Sequence, residues 1–288
     1  MQMAIPDRLF LKLLNMKKVL LLLFTIMPLS MLSASTVDTV AIYSPSMQKS
    51  IKCVVIKPDN YPDSDKKYPV VYLLHGYSGS YSSWLEIDPN LKDYADEHQM
   101  ILVCPDGGYN SWYYDSPIDP KRKYETHVSK EVVSYVDVHY RTIADRHHRA
   151  ITGLSMGGYG GFYLGLRHPD VFGAMGSTSG GVDITPFKKN WEISEQIGDT
   201  VNHKDNWKKM TVINMLDDYP TDSLTIIFDC GTDDFFYEVN KALHNKMLEM
   251  KIPHDYIERP GEHNWPYWKN SIEYQLVFFK NFFAKNSD

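Results

Sequence analysis

The stretch RAITGLSMGGYGG, residues 149–161, decides how the rest of the chain is read. It opens on a β-branched run, turns at a serine among glycines and small or apolar residues, and leads into FYLGLRHPD (162–170), which has helical spacing. Gly153-Leu154-Ser155-Met156-Gly157 fits G-x-S-x-G, the pattern of a serine raised on a sharp strand-to-helix turn at the end of a sheet. On such a turn, a Cβ two residues before or after the serine would collide with the neighbouring strand or helix, which accounts for the glycines. The turn aims the N–H of Met156 at an incoming carbonyl, at a helix N-terminus whose dipole favours negative charge. The plainer alternative is a serine that only caps this helix.

Outward from this turn, strand-like and helix-like segments alternate. YPVVYLLHG, MILVCPDG, RAITG, FGAMGSTSG, LTIIFDCG and HDYIERPG read as strands. NLKDYADEHQ, THVSKEVVSYVDVHY, MGGYGGFYLGLRHP, FFYEVNKALHNKMLEM and WPYWKNSIEYQLVFFKNFF read as helices. VDTVAIYS and SIKCVVIKP precede them and alternate as an antiparallel pair. The pattern predicts an α/β fold with a mostly parallel central sheet and helices on both faces. Two stretches resist it: 107–125, aromatic and rich in turn residues, and 181–222, polar and helical in places. Both follow strands, so both are expected to border a site at the carboxyl ends of the sheet, as loops of a single domain.

A nucleophilic serine needs a base, and the base an orienting acid, in the chain order Ser, Asp or Glu, His. DCGTDDFF follows a strand and offers Asp233 and Asp234; RPGEHNWPYW follows the last strand and offers His263. Their plainer readings are helix-capping turn aspartates and a surface histidine. A second N–H for an oxyanion is expected from YLLHGYSGS, at Tyr77, with the ring of His75 holding that loop in shape. Trp112, Tyr113 and Tyr114 follow the strand ILVCP and are expected to form an aromatic platform for substrate, with Trp265 as the opposite wall; pinning the loop to the core is the alternative.

The composition narrows the class. The chain has 288 residues, 43% hydrophobic and 23% charged, which suits a packed globular domain. A net charge of −6 argues against a nucleic-acid partner. MKKVLLLLFTIMPLSMLSAS, from Met16, has the layout of a secretory signal peptide, and its apolar run is too short for a stable anchor. The reading is a leader over residues 1–35, with an over-long start before Met16, then one domain over 36–288 and a secreted or periplasmic product. Cys53, Cys104 and Cys230 are expected as buried thiols, one disulfide being the alternative. No cofactor or metal is implied. Asp106, His147 and His148 lack metal-ligand spacing.

With these pieces assembled, the chain resembles the esterase D/feruloyl esterase family of α/β-hydrolases, the carbohydrate esterase family 1 type. The resemblance rests on YPVVYLLHGYSGSYSSW, VCPDGGYNSWYYDSP, YVDVHYRTIADRHHRAITGLSMGGYGGF, DCGTDDFF and PGEHNWPYW, and runs over nearly the whole chain after the leader. It implies the α/β-hydrolase fold and a serine esterase acting on short-chain acyl or feruloyl esters, on small molecules or plant oligosaccharides. The family's G-x-x-D favours Asp234 over Asp233 as the acid, its H-x-W matches His263-Asn264-Trp265, and its oxyanion loop matches His75-Gly76-Tyr77. An acyltransferase of the mycolyltransferase type, or a non-catalytic carbohydrate-binding protein on the same scaffold, are the alternatives.

Overall fold

Alternation within short, wholly buried strands sets the layers. In β3 (Val70–Leu74) every residue is buried. Val70, Tyr72 and Leu74 join one hydrophobic cluster, Val71 and Leu73 the other. A strand covered on both faces reads as a continuous apolar run, as parallel strands in α/β folds do. The same division recurs in β4 (Ile101–Pro105), where Ile101 and Val103 face one cluster and Leu102 and Cys104 the other.

The computed structural model describes residues 37–63, 65–219 and 224–287, so the leader read at 1–35 lies outside the described residues. The remaining strands are β1 (Val37–Ser44), β2 (Lys49–Ile56), β5 (Arg149–Gly153), β6 (Ala174–Thr178), β7 (Thr225–Gly231) and β8 (Asp255–Arg259). Together they form one eight-stranded sheet in the order β1-β2-β4-β3-β5-β6-β7-β8. The β1–β2 pair is antiparallel and the sheet mostly parallel, as the sequence pattern predicts; the antiparallel β2–β4 pair joins the two parts. Helix α1 (Leu91–Glu97) and α5 (Trp265–Lys285) cover one face. The helical segment 124–139, α3 (Met156–Arg167) and α4 (Tyr237–Glu249) cover the other; the first of these, α2, has a π-helical stretch, His127–Val132, that the apolar spacing does not reveal. In α5 the buried positions Trp268, Ser271, Ile272, Gln275, Leu276, Phe279 and Phe283 recur at helical spacing, giving one apolar face.

The chain leaves β3 for β4 on one side and later returns to pair β5 on β3's other side. Such a reversal opens a crevice at the carboxyl ends of the two strands, where ligands bind in open α/β sheets. The three cysteines are buried and free. Cys53 and Cys104 lie on paired strands but leave the sheet on opposite faces, so they are not placed to bridge; Cys230 is on β7, four strands beyond β4 in the sheet order. Burial pushes the Cys104 thiol up to about 12.

One buried carboxylate ties α2 to α3. Glu125 accepts from Arg167 Nε at 2.7 Å and from the Tyr163 hydroxyl at 3.0 Å, and pairs with His168 Nε2 at 3.0 Å. Burial alone would raise its pKa, but the His168, Arg167 and Tyr163 contacts outweigh that and bring it down to about 2. A folded-state pKa below the unfolded value means the stabilisation is complete above the ordinary glutamate range, near pH 4.3, and is lost as pH falls toward 2. Glu125→Gln should therefore lower unfolding free energy at pH 7 by about 2 kcal/mol or more. The gap between variant and parent, measured by urea unfolding, should close as the pH is lowered from 4.5 toward 2. A gap that stays constant over that range would contradict this account.

Candidate active site

Ser155 sits between β5 and α3 with φ 54° and ψ −116°, a conformation unfavourable for a residue with a Cβ. The reason for the flanking glycines is visible in the packing. A Cβ on Gly153 would lie 2.4 Å from the carbonyl oxygen of Leu74, and one on Gly157 2.2 Å from the same atom. The glycines let α3 and the end of β5 close on β3, and the turn between them lifts the serine side chain clear. Ser155 Oγ accepts no capping bond from the helix N–H groups, which removes the plainer reading of it as a cap.

The hydroxyl is hydrogen-bonded to a base. Ser155 Oγ lies 2.9 Å from His263 Nε2, and His263 Nδ1 lies 2.9 and 3.0 Å from the two carboxylate oxygens of Asp234. A carboxylate only accepts, so Nδ1 carries the proton and Nε2 is left to accept from the serine hydroxyl. The Asp234 side chain has no exposed surface, and its Oδ1 also accepts from the Phe236 N–H at 2.8 Å. Asp233 is exposed and lines a separate groove with Arg259 and Glu262. The structure thus brings Asp234, not Asp233, to the histidine. His263 is held at its place by the start of α5, where Asn264 caps the helix by accepting from the Tyr267 N–H at 3.1 Å.

The loop after β3 lies against this turn: a Cβ on Gly76 would stand 3.4 Å from the Cβ of Ser155. Gly76 O accepts from His75 Nδ1 at 2.8 Å and from the Gly79 N–H at 3.0 Å. Gly76 C=O and Tyr77 N–H belong to one planar trans peptide, so fixing the carbonyl on one side turns the Tyr77 N–H to the other. Among the described residues that N–H has no acceptor, and neither has the N–H of Met156 at the first position of α3. His75 is buried, and its Nε2 accepts from the Gly107 N–H at 2.8 Å, which fixes its tautomer. Burial lowers its pKa and keeps the ring neutral. His75 holds the loop, as the sequence suggests.

The aromatic platform is a correction. Trp112, Tyr113 and Tyr114 are 1%, 0% and 1% exposed. Trp112 and Tyr113 both adopt left-handed φ, 53° and 61°; the Trp112 ring packs on Tyr159 of α3, the Tyr114 ring on Tyr159 and Tyr163, and the Tyr113 ring beside His75. They brace the site from below: the Tyr113 hydroxyl donates to His75 O at 2.9 Å. Trp265 also departs from the expected wall. Its half-buried ring rests edge-on against Trp84 and Trp268, and of these tryptophans it is Trp268 that meets the His263 ring, at 4.9 Å. The exposed aromatic face is made by other residues. Phe235, 52% exposed, lies 4.2 Å from the His263 ring, and Trp191 from the 181–222 insertion stacks on it at 5.6 Å. On the other side Tyr77 packs edge-on against Tyr109 at 5.0 Å. A lone tryptophan in the polar run KKNWEISEQ is the signal that points to Trp191.

Sequence reasoning also missed the polar network behind the site. Asp229 on β7 is buried and accepts from Ser271 Oγ at 2.6 Å, Gln275 Nε2 at 2.7 Å and Thr178 Oγ1 at 3.1 Å. It anchors α5, and with it His263, to the ends of β6 and β7.

Comparison with known proteins bears on the family and the fold. The model of the Esterase family ("Putative esterase") matches residues 44–279. An esterase of Mycobacterium tuberculosis is 26% identical over 236 residues, 73% of this chain and 51% of that protein, so the chain spans about half the length of this relative. An acetyl esterase of Caldicellulosiruptor saccharolyticus is 25% identical over 249 residues, 80% of this chain and 92% of that protein. The solved structure of a ferulic acid esterase superposes with a TM-score of 0.75 at 30% identity, covering 87% of this chain and 99% of that one. The fold is the α/β-hydrolase fold.

The geometry separates the two aspartates. A fluorophosphonate probe should label Ser155 alone. Asp234→Asn should slow labelling by about 10³–10⁴-fold, because an amide at that place favours the wrong histidine tautomer. Asp233→Asn should change the rate little. Labelling rates followed by intact mass give the answer, and reversed phenotypes would exchange the roles of the two residues.

Proposed function

The chain belongs to the Esterase family, and from that premise we propose that it is a secreted serine carboxylesterase that hydrolyses short-chain acyl or feruloyl esters on plant polysaccharides. The observation that carries the reading is the continuous hydrogen-bonded chain from Ser155 Oγ through the His263 ring to the buried Asp234 carboxylate. Ser155 Oγ attacks the acyl carbon as its proton passes to His263 Nε2. The N–H groups of Met156 and Tyr77 receive the oxyanion, each such donor contributing about 3 kcal/mol to the transition state. Collapse of the tetrahedral intermediate breaks the acyl–oxygen bond, and His263 returns its proton to the departing alcohol. A water molecule then repeats the sequence on the acyl-enzyme and regenerates Ser155. Asp234 stabilises the imidazolium and holds Nδ1 as the donor.

The substrate class is supported by three features. The names of the similar proteins include an acetyl esterase and a ferulic acid esterase. The Trp191–Phe235 face lies beside the base and suits a flat acyl ring or a sugar face. The 181–222 insertion is polar and is not the long apolar lid that fatty acyl chains require. Export rests on the run after Lys17-Lys18.

Three measurements test the proposal. Purified protein should turn over p-nitrophenyl acetate and butyrate, methyl ferulate and acetylated xylan, and Ser155→Ala should abolish all four activities. A preference for acyl chains beyond about ten carbons, which would need a long apolar groove, would overturn the substrate class. Product analysis with a competing sugar alcohol should give free acid; transfer of the acyl group to the alcohol would make the protein an acyltransferase. Expressed with its leader in a Gram-negative host, the protein should be recovered from the periplasm with an N-terminus near Thr36, and an intact leader on a cytoplasmic product would contradict export.

A further inference from the structure

Two consecutive residues of the insertion, Trp191 and Glu192, both hold left-handed φ, 48° and 54°. Neither is glycine, so the conformation is disfavoured at each and persists because the surroundings impose it. Two contacts do so. The Trp112 indole N–H donates to Trp191 O at 3.2 Å, and Asn110 Nδ2 donates to Glu192 Oε2 at 2.7 Å. The result is that one turn reaches both sides of the site. Trp191 stacks on Phe235, which touches His263. The Glu192 carboxylate lies on the opposite side, by the Tyr77 hydroxyl, which also meets the Tyr109 hydroxyl. Tyr77 supplies the loop N–H beside Ser155.

We propose that the Trp191–Glu192 turn is the specificity-determining element for the alcohol half of the substrate, and that the alcohol it selects is a neutral sugar. This rests on the esterase reading above. The chemistry of the rim is the reason. A carboxylate offers about four acceptor positions, of which Asn110 occupies one, so an exposed Glu192 keeps acceptors for hydroxyl donors. Asn110 leaves its Oδ1 beside them. Adjacent hydroxyls of a pyranose supply matching donors, and the C–H face of the ring fits the flat faces of Trp191 and Phe235. A plain alkyl alcohol has no donor left for Glu192 once esterified, and covering the carboxylate with it would strip its water without replacement. An alcohol that carries a carboxylate would be repelled by Glu192 and by the chain's net charge of −6.

The test separates this from the esterase reading by measuring binding apart from turnover. In a Ser155→Ala background, binding of O-acetyl-xylotriose is followed by calorimetry and by quenching of tryptophan fluorescence. Adding Glu192→Ala should weaken binding by about tenfold or more, the loss expected for hydrogen bonds to a charged group. Glu192→Gln, which keeps an oxygen at the same place, should lose less. In the protein with Ser155 intact, Glu192→Ala should lower the ratio of kcat/KM on O-acetyl-xylotriose to that on p-nitrophenyl acetate by a similar factor, mainly through KM. Equal losses on both esters would mean that Glu192 only buttresses the loops and would overturn the proposal, as would unchanged binding in the double variant. If the parent hydrolyses no ester, the function proposed above fails, and the binding experiment still decides the role of the turn.

Discussion

The carbonyl of Leu74, the last residue of β3, is the point on which the site is built. Its oxygen accepts from the Trp84 indole N–H at 3.0 Å and from the Leu154 N–H at 3.2 Å. Gly153 and Gly157 approach it so closely that neither tolerates a Cβ. Strand β3, the end of β5 and the first turn of α3 therefore converge on one atom. Where they meet, Ser155 holds its strained conformation, φ 54° and ψ −116°. The next residue along the chain, His75, begins the loop that carries the second N–H. Ser155 and the N–H groups of Met156 and Tyr77 are thus set by one close approach of backbone to backbone, which side-chain motion does not relax.

A second constraint acts on the base. Asp229 stands in the core below His263, where burial raises its pKa against the pull of the Ser271, Gln275 and Arg259 contacts. Gln275 also donates to Ser177 O at 3.0 Å and Thr178 Oγ1 at 2.8 Å. These bonds reach from α5 to the ends of β6 and β7, so the helix that begins just after His263 is fixed against the strand that leads into Asp234. A buried polar network of this kind is worth keeping only when its members are satisfied, and here it sets the angle of a helix that apolar packing alone would let slide.

The parts of this architecture that follow from local pattern were legible in the sequence. Apolar strands, the glycine pattern around Ser155 and the order Ser, Asp, His each have a short-range signature, and the choice of Asp234 over Asp233 came with the family resemblance. The orientation of side chains in irregular loops has no such signature. Trp112 and Tyr113 follow a strand end, where a side chain is free to point toward ligand or core, and the outcome depends on two positive φ values that no composition rule announces. Trp191 stands out in its polar run, but only the fold carries it to Phe235. Asp229, Ser271 and Gln275 are distant in sequence and meet only through the packing of α5.

The distribution of strain orders these observations. Among the described residues, ten other than glycine hold positive φ. Ser78, Trp112, Tyr113, Ser155, Ser179, Trp191 and Glu192 all follow the carboxyl ends of β3, β4, β5 and β6, while Gln48, Gln99 and Lys251 lie in turns elsewhere. Strain of this kind persists where surrounding structure over-determines the backbone, and it gathers where side chains must be aimed rather than packed. At Ser155 the constraint is the glycine-lined contact on Leu74; at Trp112 it is the edge-on packing of its ring on Tyr159, and at Tyr113 the hydrogen bond from its hydroxyl to His75 O. At Trp191 and Glu192 it is a pair of hydrogen bonds from the loop that those buried aromatics hold in place. The rings misread as a platform are therefore the foundation of the rim that faces solvent. Rigidity passes outward from the sheet to the loop after β4 and from there to the insertion, and the residues that meet solvent at the mouth are the last link of that chain.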